Sequence, residues 1–254
     1  MRVKKTSVMK EGRLRFRRHL APPEFTGPEA AKKAASFRTF TTGSPVLDGL
    51  LGGGFREGRI VEVLGRSNSG KTQLAMQSAL LASRQGKKVL FVDTEGSFRP
   101  ERVEEMATSR GWDAAGLLRR IVWVRTDSYA EQMEITARMR NREATAACSM
   151  VVVDTLTRNF TIGLPGRPNL AERQGALARY LSEASRDAFL NSRAYLMTNR
   201  VTFGQTRDVA IGGRTVEQMV HESVLLERTA GVVKATRLST GDCARTAIGA
   251  SGVE

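Results

Sequence analysis

Gly65-Arg66-Ser67-Asn68-Ser69-Gly70-Lys71-Thr72 is the stretch on which the fold turns. It matches G-x-x-x-x-G-K-[ST] in full, directly after the apolar run 60–64 and directly before an amphipathic stretch of helical period. At average residue frequencies the bare pattern arises by chance in on the order of one per cent of chains this long. A strand before it and a helix after it make a chance glycine-rich turn a much poorer account. Such a loop must wrap an anion closely, which small residues permit, while its N–H groups and the helix dipole point inward. Gly65 and Gly70 give the room, and Arg66, Ser67, Asn68 and Ser69 complete the wrap. Lys71 is expected as an exposed, compact charge that reaches β- and γ-phosphate oxygens and takes part in catalysis, Thr72 as a magnesium ligand, and Gln73 as the start of the helix. The expected cofactors are ATP and Mg2+.

Working outward, a second group on the metal side is expected at the end of a neighbouring apolar strand. Met150-Val151-Val152-Val153-Asp154 has that form and makes Asp154 the acid, against the plainer reading of a helix cap. A second strand ends in Leu90-Phe91-Val92-Asp93 and leads into Thr94-Glu95-Gly96, where the Glu95 carboxylate could accept a proton from an attacking water. From about residue 41, apolar strands at 60–64, 89–93, 121–124, 150–154 and 194–198 alternate with helices at 72–84, 100–110, 129–142 and 170–191. Strand-like runs at 223–227 and 232–237, separated by Gly231, add an antiparallel hairpin. The expected fold class is therefore α/β, a mostly parallel twisted sheet flanked by helices with a C-terminal antiparallel hairpin. Residues 1–40 read as a basic arm and linker and 41–254 as the ATPase domain.

Composition narrows the partners. The chain has 254 residues, 41% of them hydrophobic, and no apolar run approaches the ~18 residues of a membrane span. Two cysteines and two histidines, without metal-ligand spacing, fit a reducing cytoplasmic setting and give no structural zinc site. A net charge of +14 concentrates polyanions, nucleic acid above all, although a solvated basic surface accounts for charge alone equally well. Arg2, Lys4, Lys5, Lys10, Arg13, Arg15, Arg17 and Arg18 stand against the single acid Glu11 in the first segment, which reads as a nucleic-acid arm or as a targeting segment. Pro22, Pro23 and Pro28 mark the linker, with a short helix at 29–36.

Taken together and in this order, the motifs resemble the RecA superfamily, and within it the archaeal RadA and RadB recombinases. The resemblance covers about residues 41–237 and is carried by Thr42-Gly43-Ser44-Pro45-Val46-Leu47-Asp48-Gly49-Leu50-Leu51-Gly52-Gly53-Gly54, by Asp93-Thr94-Glu95-Gly96-Ser97-Phe98-Arg99-Pro100-Glu101-Arg102, by Leu170-Ala171-Glu172-Arg173-Gln174 and by Ile211-Gly212-Gly213. It implies that Glu95 activates water and that Arg125 packs against the nucleotide base, supported by Gln132 and Met133. It also implies that loops 158–169 and 201–215 face single-stranded DNA, with Arg158, Arg167, Arg173, Arg200, Arg207 and Arg214 as candidate contacts. Any one of these arginines reads as readily as a solvated side chain.

Three departures shape what is carried over. No RadA-type N-terminal helical domain is recognisable, which points to RadB or another paralogue. Asn199 is followed by Arg200 where strand-exchanging members carry glutamine, and Phe25-Thr26-Gly27-Pro28 puts proline where the family's polymerisation motif has alanine. The resulting expectation is a slow, RadB-like ATPase that binds single-stranded DNA and assists a RadA-type recombinase, with an oligomer possible. A non-catalytic ATP-binding adaptor and a RecA-fold ATPase outside recombination, of the KaiC kind, are the alternatives.

Overall fold

The computed structural model describes residues 24–140, 147–203, 208–249 and 251–254, which fall in two compact units, Met1–Ala35 and Ser36–Glu254. The described element of the first unit is helix α1 (Gly27–Ala35). Its first turn is closed by Glu29, whose carboxylate accepts the Thr26 N–H at 2.7 Å while Thr26 Oγ1 accepts the Glu29 N–H at 3.4 Å. The basic run 1–20 lies outside the described residues.

The second unit opens with β1 (Thr39–Phe40), α2 (Pro45–Leu51) and β2 (Phe55–Arg56). Then come β3 (Ile60–Gly65), α3 (Lys71–Arg84), β4 (Lys88–Asp93), α4 (Pro100–Thr108), α5 (Ala114–Leu118), β5 (Ile121–Arg125), α6 (Tyr129–Arg140) and β6 (Cys148–Asp154). The remainder is α7 (Arg158–Gly163), α8 (Leu170–Asn191), β7 (Ala194–Phe203), β8 (Asp208–Ala210), α9 (Gly213–Met219), β9 (Glu222–Thr229), β10 (Val232–Arg237), β11 (Cys243–Gly249) and β12 (Gly252–Val253). The main sheet runs β12-β11-β10-β9-β3-β7-β6-β4-β5, with β8 paired to β7. From β9 to β5 every neighbour is parallel, and β9, β10, β11 and β12 pair antiparallel. This is the expected mostly parallel α/β architecture, with the C-terminal hairpin extended by two strands that the sequence reading left out.

Apolar runs without alternation suit strands covered on both faces. Val61, Val63, Val89, Phe91, Met150 and Val152 point to one core, against α3, α4 and α5. Ile60, Leu90, Val92, Val151, Val153 and Met197 point to the other, against α6, α8 and α9. Truncating one such fully buried ring, Phe91→Ala, removes about 3–5 kcal/mol.

The two expected DNA loops carry more regular structure than a loop reading implies. Segment 158–169 opens as α7, because Phe160 is buried between the rings of Tyr129 and Tyr180 at 5.8 and 5.6 Å, and Asn159 donates to Thr126 O and Ser128 O. Segment 201–215 contains the outer part of β7, then β8 folded back on it, then the start of α9. Short α2 was also missed; Ser44 caps it, Pro45 opens it and Gly52, at φ 69°, ends it.

Candidate nucleotide site and the adjoining loops

Register sets the site. Across the parallel ladder Gly65 lies opposite Arg200, Leu64 opposite Asn199, and Asp93 opposite Asp154, so the chemistry-bearing residues stand level at the carboxyl ends of β3, β7, β4 and β6. In open α/β sheets ligands bind at that edge. Between β3 and α3 the loop turns through Asn68 at φ 63° and Gly70 at φ 103°. A Cβ on Gly65 would stand 2.4 Å from Leu226 O and 2.6 Å from Ser69 Oγ, and one on Gly70 would stand 2.6 Å from Ile248 Cδ1. Helix α3 starts at Lys71 with no side-chain cap, so its first-turn N–H groups, which have no partner inside the helix, face the loop.

Lys71 departs from expectation: it is buried, with 8% of its surface exposed. Its ammonium donates to Gly65 O at 2.8 Å, Arg66 O at 2.7 Å and Ser69 Oγ at 3.3 Å. Burial lowers its pKa, the neighbouring Arg200 pushes the same way, and Asp154 and Glu95 oppose both. Gln73 is the third residue of the helix rather than its start; its side-chain amide donates to Met106 Sδ at 2.8 Å and accepts from Arg102 Nε at 2.9 Å.

Asp154, 1% exposed, gathers three hydroxyls. Thr72 Oγ1 donates to Oδ2 at 2.9 Å, Ser97 Oγ donates to the same oxygen at 2.6 Å, and Thr198 Oγ1 donates to Oδ1. Burial pushes its carboxyl above the ordinary aspartate range in spite of those donors. Glu95 accepts from Thr155 Oγ1 at 3.1 Å and pairs through its other oxygen with Arg200 Nη2 at 2.8 Å. That pairing places Arg200 on the carboxylate itself, a partner that neither sequence reading of Arg200 includes.

The donor set fits magnesium nucleotide. Mg2+ keeps several waters and takes one or two protein oxygens beside phosphate, which one hydroxyl and one carboxylate provide. Uncapped helix amides, two close-packed glycines and one ammonium fit phosphate. Beside the turn that carries Glu95, the Arg125 guanidinium lies against Gly96, where a Cβ would stand 2.6 Å from Nη1, and Nη1 itself is buried without a hydrogen-bond partner. Gln132 is buried below and donates to Leu156 O at 3.1 Å.

The Rad51 family model matches residues 33–239 of the chain. The chain belongs to the Rad51 family. Among its Rad51-family relatives, the DNA repair and recombination protein RadA of Metallosphaera sedula is 34% identical over 225 residues, covering 84% of this chain and 69% of that protein. RadA of Aeropyrum pernix is 34% identical over 227 residues, covering 83% and 71%, and RadA of Ignicoccus hospitalis 33% over 229 residues, covering 84% and 70%.

Within this Rad51-family frame the candidate DNA arginines divide. Arg167 and Arg214 are exposed, and Arg207 lies outside the described residues. Arg158 Nη1 donates to Thr94 O at 2.7 Å, beside Glu95, and Arg173 Nη1 donates to Leu164 O at 2.6 Å, closing its own loop. Ser97, Thr198 and Asn199 were not singled out as site residues. Asn199 Nδ2 donates to Glu62 Oε1 at 2.7 Å and Ile211 O at 2.8 Å, while Oδ1 accepts from Thr157 Oγ1 at 2.7 Å, so one amide ties β3 to the roots of both loops. Ser97 reaches Asp154 from the turn after β4, and Thr198 and Asn199 reach their partners from β7, so the strand order brings these residues together. Among the described residues no helix is long and apolar enough to cross a membrane.

Proposed function

We propose that the chain is a RadB-like ATPase of DNA recombination and repair, which binds single-stranded DNA and assists a RadA-type recombinase. The observation that carries the reading is the convergence of Lys71, Thr72, Asp154 and Glu95 at one sheet edge, in a member of the Rad51 family. Lys71 and the first turn of α3 hold the phosphates; Thr72 and Asp154 hold the metal; Arg125 meets the base; Glu95 orients water and takes its proton. When bound there, Mg2+ would supply neutralisation of the phosphate charge. Slow turnover follows from Glu95, whose two oxygens are both engaged, by Thr155 and by Arg200.

The test is ATP affinity, turnover and DNA binding measured on the same protein. Glu95→Gln should keep ATP affinity while turnover falls by about 10²–10⁴-fold, the range for losing a positioned base. Turnover equal to the parent's removes Glu95 from the mechanism. Absence of turnover in the parent, with and without DNA, turns the reading to an ATP-binding adaptor. Arg200→Gln separates that residue's two possible duties: hydrolysis changes with DNA affinity intact if Arg200 acts on the Glu95 side, and DNA affinity falls with hydrolysis intact if it serves the loop.

A further inference from the structure

The most heavily solvated-by-protein carboxylate near the site is one to which no catalytic duty has been given. Asp93 is fully buried at the end of β4. Its Oδ1 accepts the N–H groups of Glu95 at 3.1 Å, Gly96 at 2.8 Å and Ser97 at 3.1 Å, together with Ser97 Oγ at 3.4 Å. Its Oδ2 accepts the Phe98 N–H at 3.1 Å and the indole N–H of Trp123 at 3.2 Å. Arg125 Nη1 stands 3.7 Å from Oδ1, the one cation paired with it among the described residues. Four consecutive backbone amides thus bend around a single side chain, and the turn they form carries Glu95 at one end and Ser97, a donor to Asp154, in the middle.

We propose that Asp93 is a positioning residue for hydrolysis: its carboxylate fixes the turn 95–98, and through that turn sets the place of the Glu95 carboxylate and of Ser97 on Asp154. Because Arg125 rests on Gly96 of the same turn, the base side and the water side of the site share one support. The inference rests on the reading of Glu95 as the water-orienting group. An amide cannot replace this carboxylate, since it offers one oxygen only and turns an NH2 toward two of the donors it must accept. A solvated aspartate would make no such demand; a buried one bonded by four amides is a fixed part of the turn's geometry.

The full chain is compared as parent, Asp93→Asn, Glu95→Gln and the double variant, each for Mg-ATP affinity and for single-turnover hydrolysis. Asp93→Asn is expected to bind ATP and to hydrolyse it on the order of 10²-fold more slowly, the effect of an about 1 Å misplacement of a reacting group. In the Glu95→Gln background the same substitution should change the rate little, because the group it positions is already gone. If Asp93→Asn slows both backgrounds by the same factor, or slows neither, the positioning role is wrong. Fast hydrolysis by Glu95→Gln alone is a separate failure, of the water-orienting assignment. Should Asp93→Asn not fold, Trp123→Phe gives the second reading, as it withdraws one donor from Asp93 at a half-exposed edge-strand position. Reduced turnover at unchanged ATP affinity supports the role, and parent-like turnover overturns it.

Discussion

Asp154 is placed where the folded protein would be better off without its charge. Burial raises its pKa, so the folded state holds a proton there more readily than the unfolded chain does. The sign is then fixed: the group favours folding at low pH, and that contribution is lost as the pH rises from the ordinary aspartate value through the raised one. Wherever the carboxylate is ionised, its burial is a cost that the Thr72, Ser97 and Thr198 hydroxyls offset in part and a bound cation would offset further. Asp154→Asn should therefore raise the thermal midpoint of the nucleotide-free protein and abolish the magnesium dependence of ATP affinity, since the Thr72 and Ser97 hydroxyls can turn to accept from an amide. Calorimetry at neutral pH with a magnesium titration decides it, and a lower midpoint contradicts it. Residue by residue, the motif spacing singled out Lys71, Thr72, Asp154 and Glu95, which the structure brings to one sheet edge, because the chemistry expected of them needs fixed neighbours along the chain. It could not disclose the burial of Lys71, whose ammonium is bonded by its own loop, or the Arg200–Glu95 pair, which depends on how far apart β7 and β4 lie in the sheet.

Among the elements, long periodic ones were legible and short ones were not. Helix α8 matches its expected bounds at both ends, since 22 residues of amphipathic period outweigh any local ambiguity. Helices α2, α5, α7 and α9 run to seven residues or fewer and owe their form to caps and packing, which a periodicity reading does not sense. Helix α7 shows what such an element does: Phe160, held between Tyr129 and Tyr180, pins the start of the first loop to the core. Phe160→Ala should cost about 3–5 kcal/mol of stability and loosen the loop from its root. Denaturant titration measures the first effect. Limited proteolysis between residues 164 and 169 reads the second, and an unchanged cleavage rate there shows that the ring does not anchor the loop.

On the scale of the whole molecule, a net charge of +14 makes salt the diagnostic variable. If loop and arm cations meet DNA phosphates, the logarithm of affinity for a single strand should fall linearly with the logarithm of salt concentration, with a slope of about −0.7 per phosphate contact. Deleting residues 1–20 should flatten that slope if the arm takes part, and affinity indifferent to salt sinks the nucleic-acid reading. The same scale gives the last strand its meaning. β12 is joined to α3 through Gln77, which donates to Val253 O and accepts the Val253 N–H, both near 2.8 Å, and Ile248 of β11 rests against Gly70 of the phosphate loop. In mechanical terms this strand is a tether: a pull applied at Glu254 loads the helix that begins at Lys71, so tension at that end is felt first by the loop 65–72.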